Sequence, residues 1–225
     1  MLSFDQLVQR ARSLVADGKR ALLGITGPPG AGKTTLAEQL ITALAPAPPP
    51  TLPPYQWIAH VPMDGFHLAD SELTRLRRRD RKGAPDTFDP AGYAALLRRL
   101  REDSDEVVYA PSFDRTLEQP IAGAIPVPRT ARLIITEGNY LLFDDHGWGG
   151  VRAQLDDVWY VELDADERIR RLITRHVLFG KQPAAATAWA TGTDERNAAL
   201  ISSTRSHADL IVPTALMRSL TAPPG

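Results

Sequence analysis

Hydrophobic residues recur at two different spacings along the chain. Short apolar runs, which are typical of buried strands, lie at residues 21–26, 57–63, 107–110, 133–136, 158–163 and, more weakly, 210–212. Between these runs, apolar residues recur at intervals of three and four positions, which is the spacing of an amphipathic helix. Strands that alternate with helices are typical of a parallel sheet that is covered on both faces. The pattern therefore predicts an α/β protein, and we expect a three-layer α/β/α arrangement.

Several predicted helices have recognisable start signals. Ser3 and Gln6 have the spacing of a capping box at the start of the first helix, whose apolar stripe begins at Phe4. Asp89 stands directly before a proline, which is a favoured combination at the first turn of a helix. Asp164 and Glu167 form a second potential capping box. We therefore expect helices to begin just after residues 3, 89 and 164.

A proline-rich segment at residues 46–54 interrupts this alternation. It holds six of the chain's 19 prolines. Proline has no amide hydrogen and fixes its own φ angle, so the segment is excluded from helices and from central strands. Since neither side of it alone makes a domain, we interpret it as a surface loop and expect residues 1–225 to form a single domain.

Composition and charge remove several classes of protein. Hydrophobic residues make up 43% of the chain and charged residues 24%, as in an ordinary globular protein. Lys and Arg total 26 against 27 for Asp and Glu, which argues against a general binder of nucleic acid or membrane surfaces. The absence of cysteine excludes disulfides and thiolate chemistry. No apolar run approaches the roughly 18 residues of a membrane span, and polar residues interrupt the start of the chain, so we expect a cytoplasmic protein without a signal peptide.

The strongest chemical signal follows the first predicted strand directly. Residues 27–34 fit the pattern G-x-x-x-x-G-K-[ST], between a strand and a helix, which is the context that this phosphate-binding loop, the P-loop, requires. Glycines allow the tight turn that aims backbone N–H groups at phosphate oxygens, while the helix N-terminus adds positive potential. The lysine reaches the β- and γ-phosphates, and the threonine hydroxyl binds Mg²⁺. The predicted nucleotide contacts are Gly27, Pro28, Pro29, Gly30, Ala31, Gly32, Lys33, Thr34 and Thr35.

Two carboxylates follow other predicted strands. Asp64 comes at the end of the second run, and Glu137 at the end of the run that starts at residue 133. Carboxyl ends of parallel strands form the ligand crevice of open α/β sheets. Asp64 could deprotonate an acceptor hydroxyl or hold metal, and Glu137 is a candidate for water-mediated contact with Mg²⁺. His67 follows closely and could contact substrate, although a lone histidine is as often a half-buried polar residue.

Arginines are grouped in two further segments. Arg168, Arg171 and Arg175 fall within about 60° of one another on a helix, which suits either a solvated face or a lid that closes on a phosphoryl group. We expect this lid at roughly residues 165–200. Residues 75–82 read RLRRRDRK, and we interpret them as a solvated helix with one or two members, including Arg81, facing substrate rather than as a nucleic-acid site.

These motifs occur in an order that resembles the family of phosphoribulokinase, uridine kinase and type I pantothenate kinase. The resemblance covers roughly residues 20–212 and rests on the P-loop, the arginine-rich lid, and residues 64–66 (DGF), 81–89 (RKGAPDTFD), 111–114 (PSFD) and 137–138 (EG). It implies a P-loop kinase fold with a five-stranded parallel core and ATP with Mg²⁺ as the phosphoryl donor. Residues 81–85 are closest to pantothenate kinase, residues 111–114 resemble uridine kinase, and residues 111–128 are most like compact bacterial members, so the acceptor is not readable.

The resemblance also assigns roles by position. It implies that Asp64 is the catalytic base, Lys33 and Thr34 the phosphate and metal contacts, Glu137 a metal-side acid, and Arg171 and Arg175 the lid arginines.

The substrate-binding candidates combine these positions with residues after the third run. They are Asp64, His67, Arg81, Tyr109, Asp114 and Arg115. The leading hypothesis is therefore an ATP-dependent kinase that phosphorylates a hydroxyl of a small metabolite, such as a nucleoside, pantothenate or a sugar.

Other interpretations stay open at this point. A regulatory ATPase without a small-molecule acceptor would keep the P-loop, and a nucleic-acid-directed ATPase would rest only on the basic segment. A homodimer is possible through the apolar first helix.

Overall fold

The predicted strands assemble around β1 (Ala21–Thr26). A computed structural model describes residues 2–50 and 52–221, and within them five parallel strands form one sheet. The order across the sheet is β2 (Ile58–His60), β5 (Leu133–Glu137), β1, β6 (Asp157–Val161) and β7 (Leu210–Val212). β1 is buried along its whole length, because it has a hydrogen-bonded strand on each side and helices on each face. The expected parallel five-stranded core is confirmed.

Side chains of successive residues in the central strand pack into the core on opposite faces of the sheet. Leu22 packs into a cluster with Tyr93 and Leu97, whereas Leu23 packs with Leu36 and a second set of residues on the other face. The first face holds α4 (Pro90–Glu102) and α5 (Gly149–Arg152). The second holds α1 (Phe4–Ser13), α2 (Lys33–Leu44) and α9 (Thr214–Thr221). The three expected layers are therefore present.

The segments that surround the carboxyl ends of the strands are mostly short. They comprise 3-10 turns at Met63–Phe66, Arg79–Arg81 and Pro85–Thr87, and the helix α3 (Asp70–Arg75). A helical arm follows β6, made of α6 (Ala165–Leu178), α7 (Pro183–Trp189), a π-helical turn (Ala190–Asp194) and α8 (Glu195–Ser203), with a last 3-10 turn at Arg205–His207. This arm occupies the region in which the sequence predicts a lid.

A separate β-hairpin lies outside the parallel sheet. Its strands are β3 (Val107–Asp114) and β4 (Gln119–Pro128), which pair antiparallel with each other. Residues 107–110 are thus a strand, as expected, but they do not extend the main sheet. β4 is not predicted by the hydrophobic pattern.

All three predicted helix starts are confirmed, because α1, α4 and α6 begin at Phe4, Pro90 and Ala165. The Ser3 hydroxyl accepts the Gln6 amide at 3.3 Å and the Gln6 side chain accepts the Ser3 amide at 2.9 Å. The Asp89 carboxylate accepts the Gly92 amide at 2.8 Å. The capping box predicted at residues 164 and 167 is wrong, because the Asp164 side chain caps nothing and instead binds a distant arginine.

The apolar face of α1 packs against its own chain. Leu7 and Ala11 are fully buried in the core layer that also contains α2. The apolar stripe that suggested a second subunit is therefore accounted for within one chain. Across residues 2–50 and 52–221, no helix has the length and apolar character needed to traverse a bilayer.

Candidate active site

The P-loop connects β1 to α2, as predicted. Gly32 precedes the helix in the left-handed conformation, with a φ of 95°, and Lys33 begins the helix. Ala31 turns its methyl group into the core and is fully buried. Gly30, Lys33 and Thr34 border the cavities described below.

Gly30 occupies a position that excludes any side chain. Its φ is 79°, and a Cβ atom there would lie 2.9 Å from the carbonyl oxygen of Arg168 and 3.0 Å from Leu172 Cγ. Both neighbours belong to α6. The loop and the arm thus approach each other so closely that only glycine fits.

Lys33 is buried at the centre of the loop. Its Nζ donates to the carbonyl oxygens of Gly27 at 2.9 Å and Pro28 at 3.1 Å. Burial lowers the pKa of this ammonium, and the nearby Glu137 only partly offsets that effect. The ammonium is therefore desolvated, and no carboxylate of residues 2–50 and 52–221 forms a direct ion pair with it, which makes it a strong binding group for an anion.

Thr34 and Glu137 form a pair of oxygen ligands. The Thr34 hydroxyl donates to Glu137 Oε1 at 3.1 Å, and Glu137 is the last residue of β5. Burial, together with the negative charge of Asp64, raises the pKa of Glu137. A cation at this position would relieve both effects. Magnesium is commonly bound through one or two protein oxygens plus substrate phosphates, so these residues fit the ion.

Asp64 lies on the 3-10 turn that follows β2. Because β5 separates β2 from β1, Asp64 comes from the strand next but one to the P-loop strand rather than from the adjacent strand. Arg115 Nη2 lies 3.2 Å from Asp64 Oδ2. Burial favours the neutral carboxyl, but the positive charge that His67 carries when protonated, followed by Arg115 and Lys33, outweighs burial and holds the pKa of Asp64 below its usual value. Asp64 is thus ionised and held in place by one of its two oxygens.

These groups border a cavity of about 420 Å³. One half, which we call the phosphate half, is bordered by the P-loop, Glu137 and Arg175. The other half, the acceptor half, lies between α3, the hairpin tip and the helical arm. We assign to it the lining residues that lie outside the P-loop and its neighbours, namely His67, Asp70, Arg79, Lys82, Gly83, Phe88, Phe113, Arg115, Glu118, His176, Phe179, Lys181, Trp189, Asp194 and Asn197.

His67 lies in the wall of the acceptor half between two phenyl rings. Its ring centroid is 4.0 Å from that of Phe88 and 4.7 Å from that of Phe113. His67 Nδ1 contacts the carbonyl oxygen of Asp64 at 2.8 Å, and since a carbonyl only accepts, Nδ1 carries the proton. Burial lowers the pKa of His67, so the ring is neutral and Nε2 is a hydrogen-bond acceptor.

Three of the predicted substrate-binding residues do not line the cavity. Arg81 binds Asp86 at 2.6 Å on the outer surface. Tyr109 is 59% exposed on the hairpin. Asp114 accepts the backbone amides of the hairpin turn, at 2.8 and 2.9 Å. His67 and Arg115 are the predicted acceptor contacts that the fold brings to Asp64.

The basic segment is not the single solvated helix that the sequence suggests. α3 ends at Arg75, Arg77 takes a φ of 56°, and a 3-10 turn follows. Arg79 and Lys82 both bind Asp70, at 2.9 and 2.8 Å. Those two cations line the cavity, so one or two members do face the site, but Arg81 is not among them.

The arm places the two predicted lid arginines differently. Arg175 borders both the large cavity and a smaller one of about 200 Å³ beside the P-loop. Arg171 borders only the smaller one and forms an ion pair with Glu167 one helical turn away.

Sequence reasoning missed most of the acceptor half. Lys82, Phe88 and Phe113 stand inside motifs that the sequence does contain, but nothing local marks them as cavity residues. Asp194 and Asn197, on the arm, have no motif signal at all. Long-range packing, rather than local pattern, brings these side chains to the cavity.

The site combines a P-loop at the end of the central strand, two carboxylates from neighbouring strands and an arginine-bearing helical arm. This combination defines a P-loop kinase fold. The chain matches the sequence profile of the Phosphoribulokinase / Uridine kinase family over residues 22–220. It belongs to that family. Membership implies a kinase that binds ATP together with a metal ion.

Individual relatives agree with this assignment. The chain is 32% identical over 190 residues to "Putative uridine kinase C227.14" of Schizosaccharomyces pombe, covering 79% of this chain and 75% of that protein. A solved structure from Silicibacter sp. TM1040, described as a "putative fructose transport system kinase", is 38% identical with a TM-score of 0.82, covering 95% of this chain and 100% of that one. YFH7 of Saccharomyces cerevisiae, at 18% identity and a TM-score of 0.78, covers 94% and 98% and shares the fold.

Proposed function

We propose that the protein transfers the γ-phosphoryl group of ATP to a hydroxyl group of a small metabolite, with Mg²⁺ bound by Thr34 and Glu137. The observation that carries this proposal is the continuity of the 420 Å³ cavity, which joins the phosphate half to a second compartment at Asp64. A regulatory ATPase would need only the first compartment. When bound, Mg²⁺ would neutralise negative charge on the phosphates.

Each half supplies groups suited to one part of the reaction. Lys33 exchanges its two loop carbonyls for phosphate oxygens, and Arg175 approaches the transferring group from the arm. Arg115 holds Asp64 through Oδ2, which leaves Oδ1 to accept the proton of the acceptor hydroxyl. His67 Nε2 accepts a hydrogen bond from a second donor on the acceptor.

The charges of the acceptor half favour an uncharged acceptor. Asp70 is already paired with Arg79 and Lys82, and the His176 ring nitrogen lies 2.8 Å from an Asp194 oxygen. A charged acceptor would have to break such pairs, whereas hydroxyl groups bridge them without changing the charge balance. We therefore expect a neutral polyhydroxylated molecule, such as a nucleoside or a free sugar, rather than pantothenate or a sugar phosphate.

The test is ADP formation across matched neutral and anionic hydroxyl compounds, at fixed ATP and Mg²⁺. We expect strong stimulation by a neutral compound. Preference for an anionic compound would overturn the charge argument and direct attention to Lys181, which lies over the Trp189 ring, 4.9 Å from its centroid. ADP formation that is indifferent to every compound would favour the regulatory ATPase.

Asp64→Asn tests the role of the carboxylate. It keeps shape but removes basicity, so the transfer rate should fall by roughly 10²- to 10⁴-fold with little change in nucleotide affinity. Asp114→Asn is the matched control, because that hairpin carboxylate lies outside the cavity. Recovery of Asp64→Asn at high Mg²⁺ would assign Asp64 to metal binding, and a near-normal rate would remove it from the site.

A further inference from the structure

Arg168 is a buried cation that joins the P-loop to the helical arm. Its side chain is 6% exposed. Nη1 donates to the carbonyl oxygen of Pro29 at 3.2 Å, and Nη2 donates to Glu195 Oε1 at 2.9 Å. One guanidinium group thus holds the P-loop backbone with one nitrogen and the first residue of α8 with another. The two terminal nitrogens of the planar guanidinium group reach the two partners separately, which the single nitrogen of a lysine does not.

The bond to Pro29 determines where the next amide points. In a trans peptide, the carbonyl oxygen and the following N–H point in opposite directions. The Pro29–Gly30 peptide is trans, and its carbonyl oxygen is turned towards Arg168. The Gly30 N–H is therefore turned away from Arg168. Gly30 borders both cavities, so this N–H is directed to the side on which phosphate oxygens bind.

α8 also holds the acceptor half. Asn197, two residues after Glu195 and 5% exposed, donates from Nδ2 to the carbonyl oxygen of Gly83 at 3.2 Å. The Tyr140 hydroxyl donates to the same oxygen at 2.6 Å. Gly83 and its neighbour Lys82 both line the cavity. The helix that anchors Arg168 is thus bonded to the loop that carries Lys82.

We propose that Arg168, Glu195 and Asn197 are positioning residues: Arg168 and Glu195 aim the Gly30 N–H at the nucleotide, and Asn197 ties that arrangement to the acceptor half. The nucleotide and the acceptor then bind to two parts of the cavity that are both hydrogen-bonded to α8. This inference rests on the proposed function for the meaning of the acceptor half, but its test needs no acceptor.

The test measures affinity for a non-hydrolysable ATP analogue with Mg²⁺, by calorimetry on the full chain. Glu195→Gln keeps the shape of the side chain but removes the charge that holds Arg168, and we expect affinity to fall about tenfold. Glu162→Gln is the matched control, since Glu162 binds Arg205 at 2.5 Å on the exposed surface, and it should change affinity less than about twofold. Arg168→Lys keeps the charge but not the fork, and should weaken binding like Glu195→Gln.

Unchanged affinity in Glu195→Gln and Arg168→Lys would overturn the proposal, as would an equal loss in Glu162→Gln. Thermal unfolding without nucleotide separates positioning from general destabilisation. A lower melting temperature with undiminished affinity would mean that the Arg168–Glu195 pair is only structural.

Asn197→Ser tests the link to the acceptor half. Among the described residues, the side-chain hydrogen bond of Asn197 goes to Gly83 and not to the P-loop, so Asn197 acts on the P-loop through α8. We therefore expect a roughly threefold loss of analogue affinity. Combined with Glu195→Gln, the loss should be less than the product of the two single effects. Strictly multiplicative effects, or no effect of Asn197→Ser, would overturn the coupling. Failure of the proposed function would look different, since no hydroxyl compound would then stimulate ADP formation while these affinities could still change.

Discussion

Acid should destabilise the protein through His60. This residue ends β2, and its Nε2 is buried without a hydrogen-bond partner among the described residues. Burial lowers the pKa of His60 from 6.5 to about 4. Above pH 6.5 the ring is neutral in both the folded and the unfolded chain, so stability is unaffected. Below that pH the unfolded chain binds the proton and the folded chain does not, so stability falls until about pH 4.

The size of the effect follows from the two pKa values. At pH 5, the difference in proton binding between a group of pKa 6.5 and one of about 4 amounts to a loss of about 2 kcal/mol in the free energy of unfolding. The limit at lower pH is about 3.5 kcal/mol, since each pKa unit corresponds to about 1.4 kcal/mol.

Urea denaturation at pH 7.5 and pH 5, followed by tryptophan fluorescence, measures this loss. His60→Phe removes the titration and the unpartnered nitrogen, so it should be at least as stable as the parent at pH 7.5 and lose about 2 kcal/mol less at pH 5. His146→Gln is the control, because that side chain is 56% exposed and its removal should leave the acid effect in place. Equal acid sensitivity of the parent and His60→Phe would refute the reasoning.

Three further predictions concern the site. Lys33→Ala should abolish the thermal shift caused by ATP with Mg²⁺ while leaving the apo protein folded, since the buried ammonium has no ion pair to lose; differential scanning fluorimetry checks both. Arg175→Ala should lower kcat at least about tenfold more than Arg171→Ala, because Arg171 is paired with a carboxylate on its own helix. Steady-state kinetics with a compound that stimulates ADP formation in the screen proposed above measures both losses, and equal losses would contradict this prediction. Gly138→Ala should destabilise the protein by about 1–3 kcal/mol, since the new Cβ would lie 2.4 Å from Met63 Cβ, and an unchanged urea midpoint would count against that contact.

The parts of the protein that could be predicted from sequence are those encoded in consecutive residues. The P-loop needs its glycines, lysine and threonine side by side, and its position between a strand and a helix is also local. Asp64 and Glu137 could be predicted because each stands at the end of an apolar run in the sequence. The capping box at Ser3 is likewise contained within four residues.

Interactions between distant residues explain the errors. Asp164 and Glu167 have the right spacing for a capping box. Their side chains bind Arg218 instead of the backbone amides of the first helical turn. The strand β4 carries Pro120 and Pro126, which break the usual alternation and are tolerated because this strand pairs on one side only.

The acceptor half was the hardest part to predict from sequence, because tertiary structure brings its residues together. Trp189 and Asp194 reach the cavity because a π-helical turn lies between α7 and α8, and no local sequence rule predicts such a turn. The sequence predicts Arg115 as a substrate-binding residue together with its neighbour Asp114. In the structure, only Arg115 contacts Asp64.

The tip of the hairpin is a segment that can be varied independently of the parallel sheet. Val107 pairs with Pro128, so the chain leaves and re-enters the body of the protein at neighbouring points, and Val108 and Val127 anchor that base in the core. Residues 115–118 at the tip lie beyond the buried Ala110 and beyond Pro111, which packs against Gly65, so they can be lengthened, shortened or replaced without altering how β1 pairs with β5 and β6. Because Arg115 in this segment borders the acceptor half, while the P-loop follows a different strand, the hairpin tip is where an engineer would alter selectivity for the proposed acceptor and keep the same nucleotide.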